Sequence, residues 1–171
     1  PFATLKGVDE LAGVLESLDG AYRAVQLLTE AIHPTTMRVA IVYGSVDVGS
    51  DTNDVAEMDG PAFHRADDAL RGLGERERLV ALSHEDAQSW QVDLIEAQME
   101  LLSRWKETWT PRQAEVVRTY RDAMTMGAAA DRLDISVQSV SKTLKRAQAA
   151  TIIETEETLE TALSHLAEEA P

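Results

Sequence analysis

The sequence contains no cysteine, which excludes disulfide bonds and thiolate chemistry. It also has no apolar run near the roughly 20 residues that a membrane-spanning helix needs, so we expect no membrane partner. The first residues carry no basic cluster of the kind that starts a signal peptide, and they include no initiator Met. We therefore expect a cytoplasmic protein whose chain begins inside a longer one.

Positive charge is scarce. The chain has 30 acidic residues against 16 basic ones, only four of them lysines, and its net charge is −14. An acid-rich, lysine-poor surface suits a high-salt cytosol, because carboxylates retain water there and strong screening weakens self-repulsion. The composition thus predicts a halophilic source, and the alternative is an ordinary acidic protein.

The basic residues are unevenly distributed. Between residues 111 and 148, seven basic residues against four acidic ones give a net charge of +3, which leaves −17 for the rest of the chain. Proteins that bind nucleic acid concentrate cations where they contact phosphates. The window therefore marks a candidate DNA-binding region in an otherwise acidic protein.

Periodicity in the first part of the chain predicts both helices and strands. Apolar residues at helical spacing predict helices over 9–20, with Gly20 as the stop, and over 21–32. Clustered β-branched residues predict a strand over 37–43, which residues 46–48 would continue.

A βα pattern follows. The turn at 59–61 opens a helix that Gly72 and Gly74 are expected to break, and residues 79–82 indicate a short buried strand. The fold class predicted for the chain is therefore α+β.

A long helix then leads into the C-terminal part. Ser83 is the expected N-cap, Asp86 completes a capping box, and the helix ends near Trp109. Residues 151–170 form an acidic amphipathic helix that we expect to pack on this long helix or on a second copy of itself. The predicted units are 1–82 (α+β), 83–109 (connecting helix) and 110–171 (all-α).

The third unit begins with strong helix signals. Thr110 is the N-cap, Pro111 takes the first helical position, and Gln113 completes a capping box. Further along, Asp134-Ile135-Ser136 forms a tight turn in which Ile135 fills the space between two helices and Ser136 caps the next one. The pattern predicts a helix-turn-helix.

The last helix of this motif divides into two faces. Val140 and Leu144 face inward, and six polar or basic residues face outward. Such a helix can enter the major groove, with early residues reading base edges and later cations meeting phosphates. DNA is thus the expected partner, and the alternative is a helical interaction module without DNA binding. The predicted DNA-binding residues are Gln138, Ser139, Ser141, Lys142, Lys145 and Arg146.

Residues 110–148 resemble the helix-turn-helix of LuxR-type regulators and of region 4 of sigma factors. The match includes Thr110-Pro111-Arg112-Gln113 and the spacing of Ala130, Leu133 and Ile135-Ser136. Many such motifs have glycine where this chain has Asp134, so we expect a left-handed aspartate there.

The first part of the chain resembles the SatD family. The matching segments are 2–11, 37–44 and 58–66, and the last contains the specific run Asp-Gly-Pro-Ala-Phe. The resemblance implies a ferredoxin-like, palm-like domain of the kind found in nucleotidyl cyclases, here truncated at its N-terminus. It implies a regulator-like DNA-binding protein, and the alternative is a nucleotide-binding or cyclase-like domain with accessory DNA binding.

Two weaker features suggest an anion or metal site. Asp9 and Glu10 could supply one side of a two-metal site, although acids also favour a helix start. Asp59 and Arg65, beside His64, could bind an anion at a helix N-terminus, although a structural turn explains them equally well. No catalytic motif is present, so the sequence favours a non-enzyme with no cofactor and no metal. We expect a homodimer, because helix-turn-helix proteins commonly match two-fold operators.

Overall fold

The computed structural model describes residues 2–4, 9–49, 52, 54–75, 77–85 and 87–168. The protein is a mixed α+β structure that is mostly helical, which confirms the predicted class at this level. None of the described helices is both long and apolar enough to cross a membrane. The elements are β1 (Phe2–Thr4), β2 (Leu11–Gly13), α1 (Leu18–Ile32), β3 (Val39–Tyr43), a 3-10 turn (Val55–Glu57), α2 (Pro61–Glu75), β4 (Val80–His84), α3 (Ser89–Glu107), α4 (Pro111–Ala123), α5 (Met126–Leu133), α6 (Val137–Arg146) and α7 (Ala149–Glu168).

The strands form two separate pairs. β1 and β2 pair antiparallel, and β3 and β4 pair in parallel with Val39 opposite Val80. A parallel pair needs a crossover connection, which α2 supplies, so β3, α2 and β4 form a βαβ unit. The strands predicted at 37–43 and 79–82 are therefore confirmed.

The outer edge of β4 is covered by carboxylates from α3. The N–H of Leu82 donates to Glu96 at 2.8 Å, and the N–H groups of Leu79 and Val80 donate to Glu100 at 2.9 Å each. Burial raises the pKa of Glu100, but these backbone donors and a neighbouring guanidinium from Arg104 lower it by more, so its pKa lies below the ordinary value. The ionised side chain thus satisfies strand amides that would otherwise lack partners.

The helix predicted over 9–20 is wrong. Residues 11–13 form β2, and α1 begins only at Leu18, because the hydroxyl of Ser17 accepts a hydrogen bond from the Gly20 N–H and caps the helix. Gly20 therefore lies in the first turn of α1 instead of ending a helix. The prediction for 21–32 is confirmed, since α1 runs through that segment.

Two further expectations around α2 are wrong. Val48 does not extend β3; its N–H donates to the carbonyl of Asp59 at 3.0 Å, so the segment folds back against the start of α2. Gly72 and Gly74 do not break α2, which continues to Glu75. A glycine inside a helix costs only about 1 kcal/mol, which the packing of α2 on β3 outweighs.

The predicted cap of the long helix is also wrong. Ser83 belongs to β4, and α3 begins at Ser89 after Gln88, which makes no side-chain capping bond. Asp86 lies outside the described residues. The helix ends at Glu107, close to the expected end.

The largest hydrophobic core joins elements from most of the described chain. α7 packs along α1 and α3, so the expected contact with the long helix is confirmed and the contact with α1 is new. The acidic residues of α7 alternate with an apolar face that completes this core. Its most buried members include Leu18, Tyr22, Val80, Met99, Val117, Leu159 and Leu163.

A group of charged side chains is buried between α1, α3, α4 and α7. Glu156 forms ion pairs with both Lys106 and Arg121. Glu30 lies 3.6 Å from the ammonium of Lys106 and 3.3 Å from Nε of Arg121. Burial and the Glu156 carboxylate raise the pKa of the adjacent Tyr22 hydroxyl. We call these four charged residues the buried ion cluster.

Additional hydrogen bonds fix α4 and the end of α6 against the rest of the protein. Arg118 donates to the backbone carbonyl of Glu30 at 3.2 Å. The buried indole N–H of Trp109 donates to the carbonyl of Ala147 at 3.0 Å, and the ring of His33 lies 3.1 Å from the Trp109 carbonyl. The C-terminal helices are therefore held by polar contacts as well as by apolar packing.

Candidate nucleic-acid interface

The helix-turn-helix unit begins where the sequence predicts. Thr110 accepts a hydrogen bond from the N–H of Gln113 at 3.2 Å, and the Gln113 side chain accepts one from the Thr110 N–H at 2.9 Å. Pro111 takes the first position of α4. The capping box is thus confirmed, and it fixes the direction in which α4 leaves α3.

The turns between α4, α5 and α6 use left-handed residues. Met124 ends α4 with φ 60°, and Thr125 caps α5, which starts at Met126. Asp134 ends α5 with φ 51° and ψ 49°, which confirms the left-handed aspartate expected from the sequence. The Ile135 N–H donates to the Ala130 carbonyl at 3.1 Å, so the chain reverses within three residues.

A second, smaller core holds α4, α5 and α6 together. Val116, Ala129, Ala130 and Val140 are buried in it. The small side chain of Ala130 allows α5 to approach its neighbours closely. Partly buried side chains pack around this centre: Tyr120, Ala123, Leu133, Ile135 and Leu144. The inward face predicted for α6 is therefore confirmed.

The opposite face of α6 is exposed to solvent. Ser136 caps the helix and accepts a hydrogen bond from the Ser139 N–H at 3.1 Å, and the two hydroxyl oxygens lie 2.9 Å apart. Gln138, Lys142 and Lys145 lie at positions i, i+4 and i+7 and hence on one side of the helix. All six predicted DNA-binding residues are exposed on α6: Gln138, Ser139, Ser141, Lys142, Lys145 and Arg146.

The cations of this face differ from most others in the protein. Lys142, Lys145 and Arg146 form no ion pair with the described residues, and neither does exposed Arg132 of α5. Elsewhere in the described chain, most basic side chains pair with carboxylates, although Arg38 and Arg118 do not. The ion-paired residues are Arg23, Arg65, Arg71, Arg78, Arg104, Lys106, Arg112 and Arg121.

Sequence reasoning missed two residues of this surface. Val137 is the first residue of α6 and is half exposed, so its methyl groups are available beside Gln138. Arg132 projects from α5. The position of Val137 directly after the N-cap Ser136 was a signal that could have identified it, because the first turn of a recognition helix points toward base edges.

The weaker candidates in the N-terminal half occupy separate elements. Asp9 lies exposed in the turn before β2, and Glu10 follows it. Asp59 accepts a hydrogen bond from the Gly60 N–H at 2.8 Å and lies 3.6 Å from the ring of His64. Arg65 is paired with a carboxylate of Glu85 at 2.7 Å. Across the described part of the chain, no group of three or more His, Asp or Glu side chains could hold a metal ion.

A cavity of about 320 Å³ lies between β2, α1, β3 and α2. Its lining is mostly apolar and includes Leu11, Leu28, Ile41, Phe63 and Leu70. It borders the edge of β3 that does not pair with β4.

Comparison of the chain with protein-family models, curated proteins and solved structures finds no match.

Proposed function

We propose that the protein binds double-stranded DNA through α6, as a regulator-like protein. One observation carries the proposal: α6 buries Val140 and presents an exposed polar and basic face whose cations have no ion-pair partner among the described residues. In a protein with net charge −14, unpaired cations gathered on one short helix are the natural site for a polyanion.

The exposed residues of α6 fall into two groups, those placed to contact base edges and those placed to contact phosphates. Gln138 lies in the first turn, where its amide is suited to hydrogen-bond adenine, and Val137 is suited to contact a thymine methyl group. The hydroxyl of Ser139 is hydrogen-bonded to the hydroxyl of the N-cap residue Ser136. We therefore assign Ser139 to holding the start of α6 in place, and we assign base contact to its neighbours. Lys142, Lys145 and Arg146 follow, and we assign them to phosphates.

The first test measures binding of a labelled duplex of mixed sequence by fluorescence anisotropy. We expect the double variant K142E/K145E to lose measurable binding, because it replaces two attractive charges with repulsive ones. The matched control R38E/R71E changes the net charge by the same amount at exposed sites outside the helix-turn-helix, and we expect it to bind like the unmodified protein. Equal affinity of K142E/K145E and the control would contradict the proposal.

Membership of the SatD family is also a proposal, and the geometry of the N-terminal half supports it less well than the sequence resemblance does. A palm-like sheet of the split βαβ kind places another strand between the two parallel ones, whereas β3 and β4 hydrogen-bond directly. Arg65 is already neutralised by Glu85. We therefore limit the proposed function to DNA binding and do not extend it to nucleotide chemistry.

A further inference from the structure

The helix α3 carries a second apolar face that nothing in the described chain covers. We call it the α3 stripe: Trp90, Leu94, Ala97, Leu101 and Trp105. The two Trp side chains are 61% and 44% exposed, and the two Leu side chains are 55% and 69% exposed. Two tryptophans and two leucines aligned along one exposed helix face are typical of an interaction site.

The spacing of the stripe fits a paired helix. Its members follow one another in steps of four, three, four and four residues, which is close to the heptad pattern of helices that pack side by side. The opposite face of α3 is already buried by Ile95, Met99 and Leu102 against the core. The described elements therefore leave the stripe free to contact a partner.

The stripe is symmetric along the helix. Trp90 and Trp105 lie equally far from the midpoint between Ala97 and Gln98, and Leu94 and Leu101 do as well. If a second α3 lies antiparallel across this face, each Trp meets the other Trp and each Leu meets the other Leu, with small Ala97 near the centre. An isologous two-fold interface requires such self-complementarity.

Charged residues beside the stripe agree with the same arrangement. Asp93 and Arg104 lie on the same flank of α3, near opposite ends of the stripe. In an antiparallel pair, Asp93 of one copy lies near Arg104 of the other, offset by only about 3 Å along the axis. Arg104 already pairs with Glu100 and Glu107 of its own chain, so this approach places opposite charges on the same side without requiring a new ion pair. In a parallel two-fold pair, the same flanks of the two helices lie on opposite sides of the interface, so Asp93 and Arg104 would not meet.

We propose that the α3 stripe is the interface between two copies of this chain, packed antiparallel about a two-fold axis that passes close to Ala97. A net charge of −14 disfavours the alternative of an anionic lipid surface. The proposal gives the homodimer expected from the sequence a specific surface, and it does not depend on DNA binding.

The first experiment compares the molecular mass of three proteins in solution by light scattering over a range of concentrations, without DNA. We expect the unmodified chain to be a dimer, L101E to be a monomer and L27E to remain a dimer. Leu27 is a matched control, because it is equally exposed on α1, away from the stripe. An unmodified chain that is monomeric at every concentration, or an L101E variant that is still dimeric, would overturn the proposal.

The second experiment tests the antiparallel direction and uses the absence of native cysteine. Single-cysteine variants A97C and W90C are oxidised under mild conditions and run on a denaturing gel. A97C lies near the axis and should form a covalent dimer. The two copies of W90C are separated by about 22 Å along the helix axis and should stay monomeric. Equal cross-linking of both variants would indicate parallel or non-specific contact and contradict the proposal.

Discussion

At the scale of single residues, a cation is available to DNA only if no carboxylate of the protein already pairs with it. Arg121 and Lys106 are as positive as Lys142, but carboxylates in the buried ion cluster already bind them. Lys142 and Lys145 have no such partner among the described residues and remain available to a phosphate. The candidate interface is thus defined by cations of α6 that form no ion pair with the described residues.

The buried ion cluster gives a prediction about stability. Replacing Glu156 with Ala removes the carboxylate that both Lys106 and Arg121 bind, and leaves two mostly buried cations facing the single carboxylate of Glu30. Breaking a buried ion pair from one side costs about 3–5 kcal/mol. We therefore expect E156A to lower the free energy of unfolding by that amount, measured by urea denaturation at neutral pH.

The neighbouring residue is the control for this prediction. Glu157 has the same charge and lies on the same helix, but it is exposed. We expect E157A to change the free energy of unfolding by no more than about 0.5 kcal/mol. If E156A and E157A unfold at the same urea concentration, the cluster does not stabilise the fold in the way that its geometry implies.

At the scale of elements, Glu100 links the charge of α3 to the amides of β4. Its pKa is below the ordinary glutamate value of about 4.3, so its contribution to stability is full above that pH and is lost as the pH falls through the lowered pKa. We expect E100Q to be less stable than the unmodified protein at neutral pH, and the difference to shrink below about pH 4.

Thermal denaturation of both proteins across the acid range measures this effect. Glu154 is an exposed acid on α7, so E154Q removes the same charge away from β4 and is the matched control. A constant difference in melting temperature between E100Q and the unmodified protein from neutral to acidic pH would show that the ionised carboxylate is not responsible.

Local signals predicted the elements whose contacts are local. The caps at Thr110 and Ser136, the turn at Asp134 and the inward Val140 all follow from residues within one or two turns of each other. Ser83 misled the same reasoning, because a cap-forming residue can equally lie in a strand. Sequence patterns identify a cap only where no sheet competes for the segment.

Other features were beyond the reach of the sequence because their partners are distant. Folding brings Glu30 and Glu156 to the same cation, Lys106, although they lie far apart in the sequence. Nothing around either residue predicts the other. Periodicity also favoured a helix over 9–20, where residues 11–13 instead pair antiparallel with β1. The six polar and basic residues on the exposed face of α6 were predicted, but Val137 was missed, and the lack of ion-pair partners for the cations required the structure.

At the scale of the whole molecule, acidity opposes both compactness and DNA binding. The helices α1, α3, α4 and α7 share one large core with β3 and β4, yet the chain carries a net charge of −14. Self-repulsion of that size weakens the folded state unless ions screen it. The halophilic origin predicted from composition depends on the same balance.

A salt series tests this balance. We expect the free energy of unfolding to rise between low salt and molar KCl, because screening reduces repulsion among surface carboxylates. Urea denaturation at each KCl concentration gives the measurement. Full stability in the absence of added salt would contradict the halophilic hypothesis, and it would leave the fold and the DNA-binding proposal unaffected.

DNA binding through α6 is tested by the salt dependence of the affinity, because counterion release counts the cations that meet phosphates. The logarithm of the binding constant is plotted against the logarithm of the salt concentration for the unmodified protein, for K142A/K145A and for the control R38A/R71A. We expect each lysine removed from α6 to make the slope shallower by about 1, and the control to keep the original slope. An identical slope for K142A/K145A and the unmodified protein would contradict the proposal.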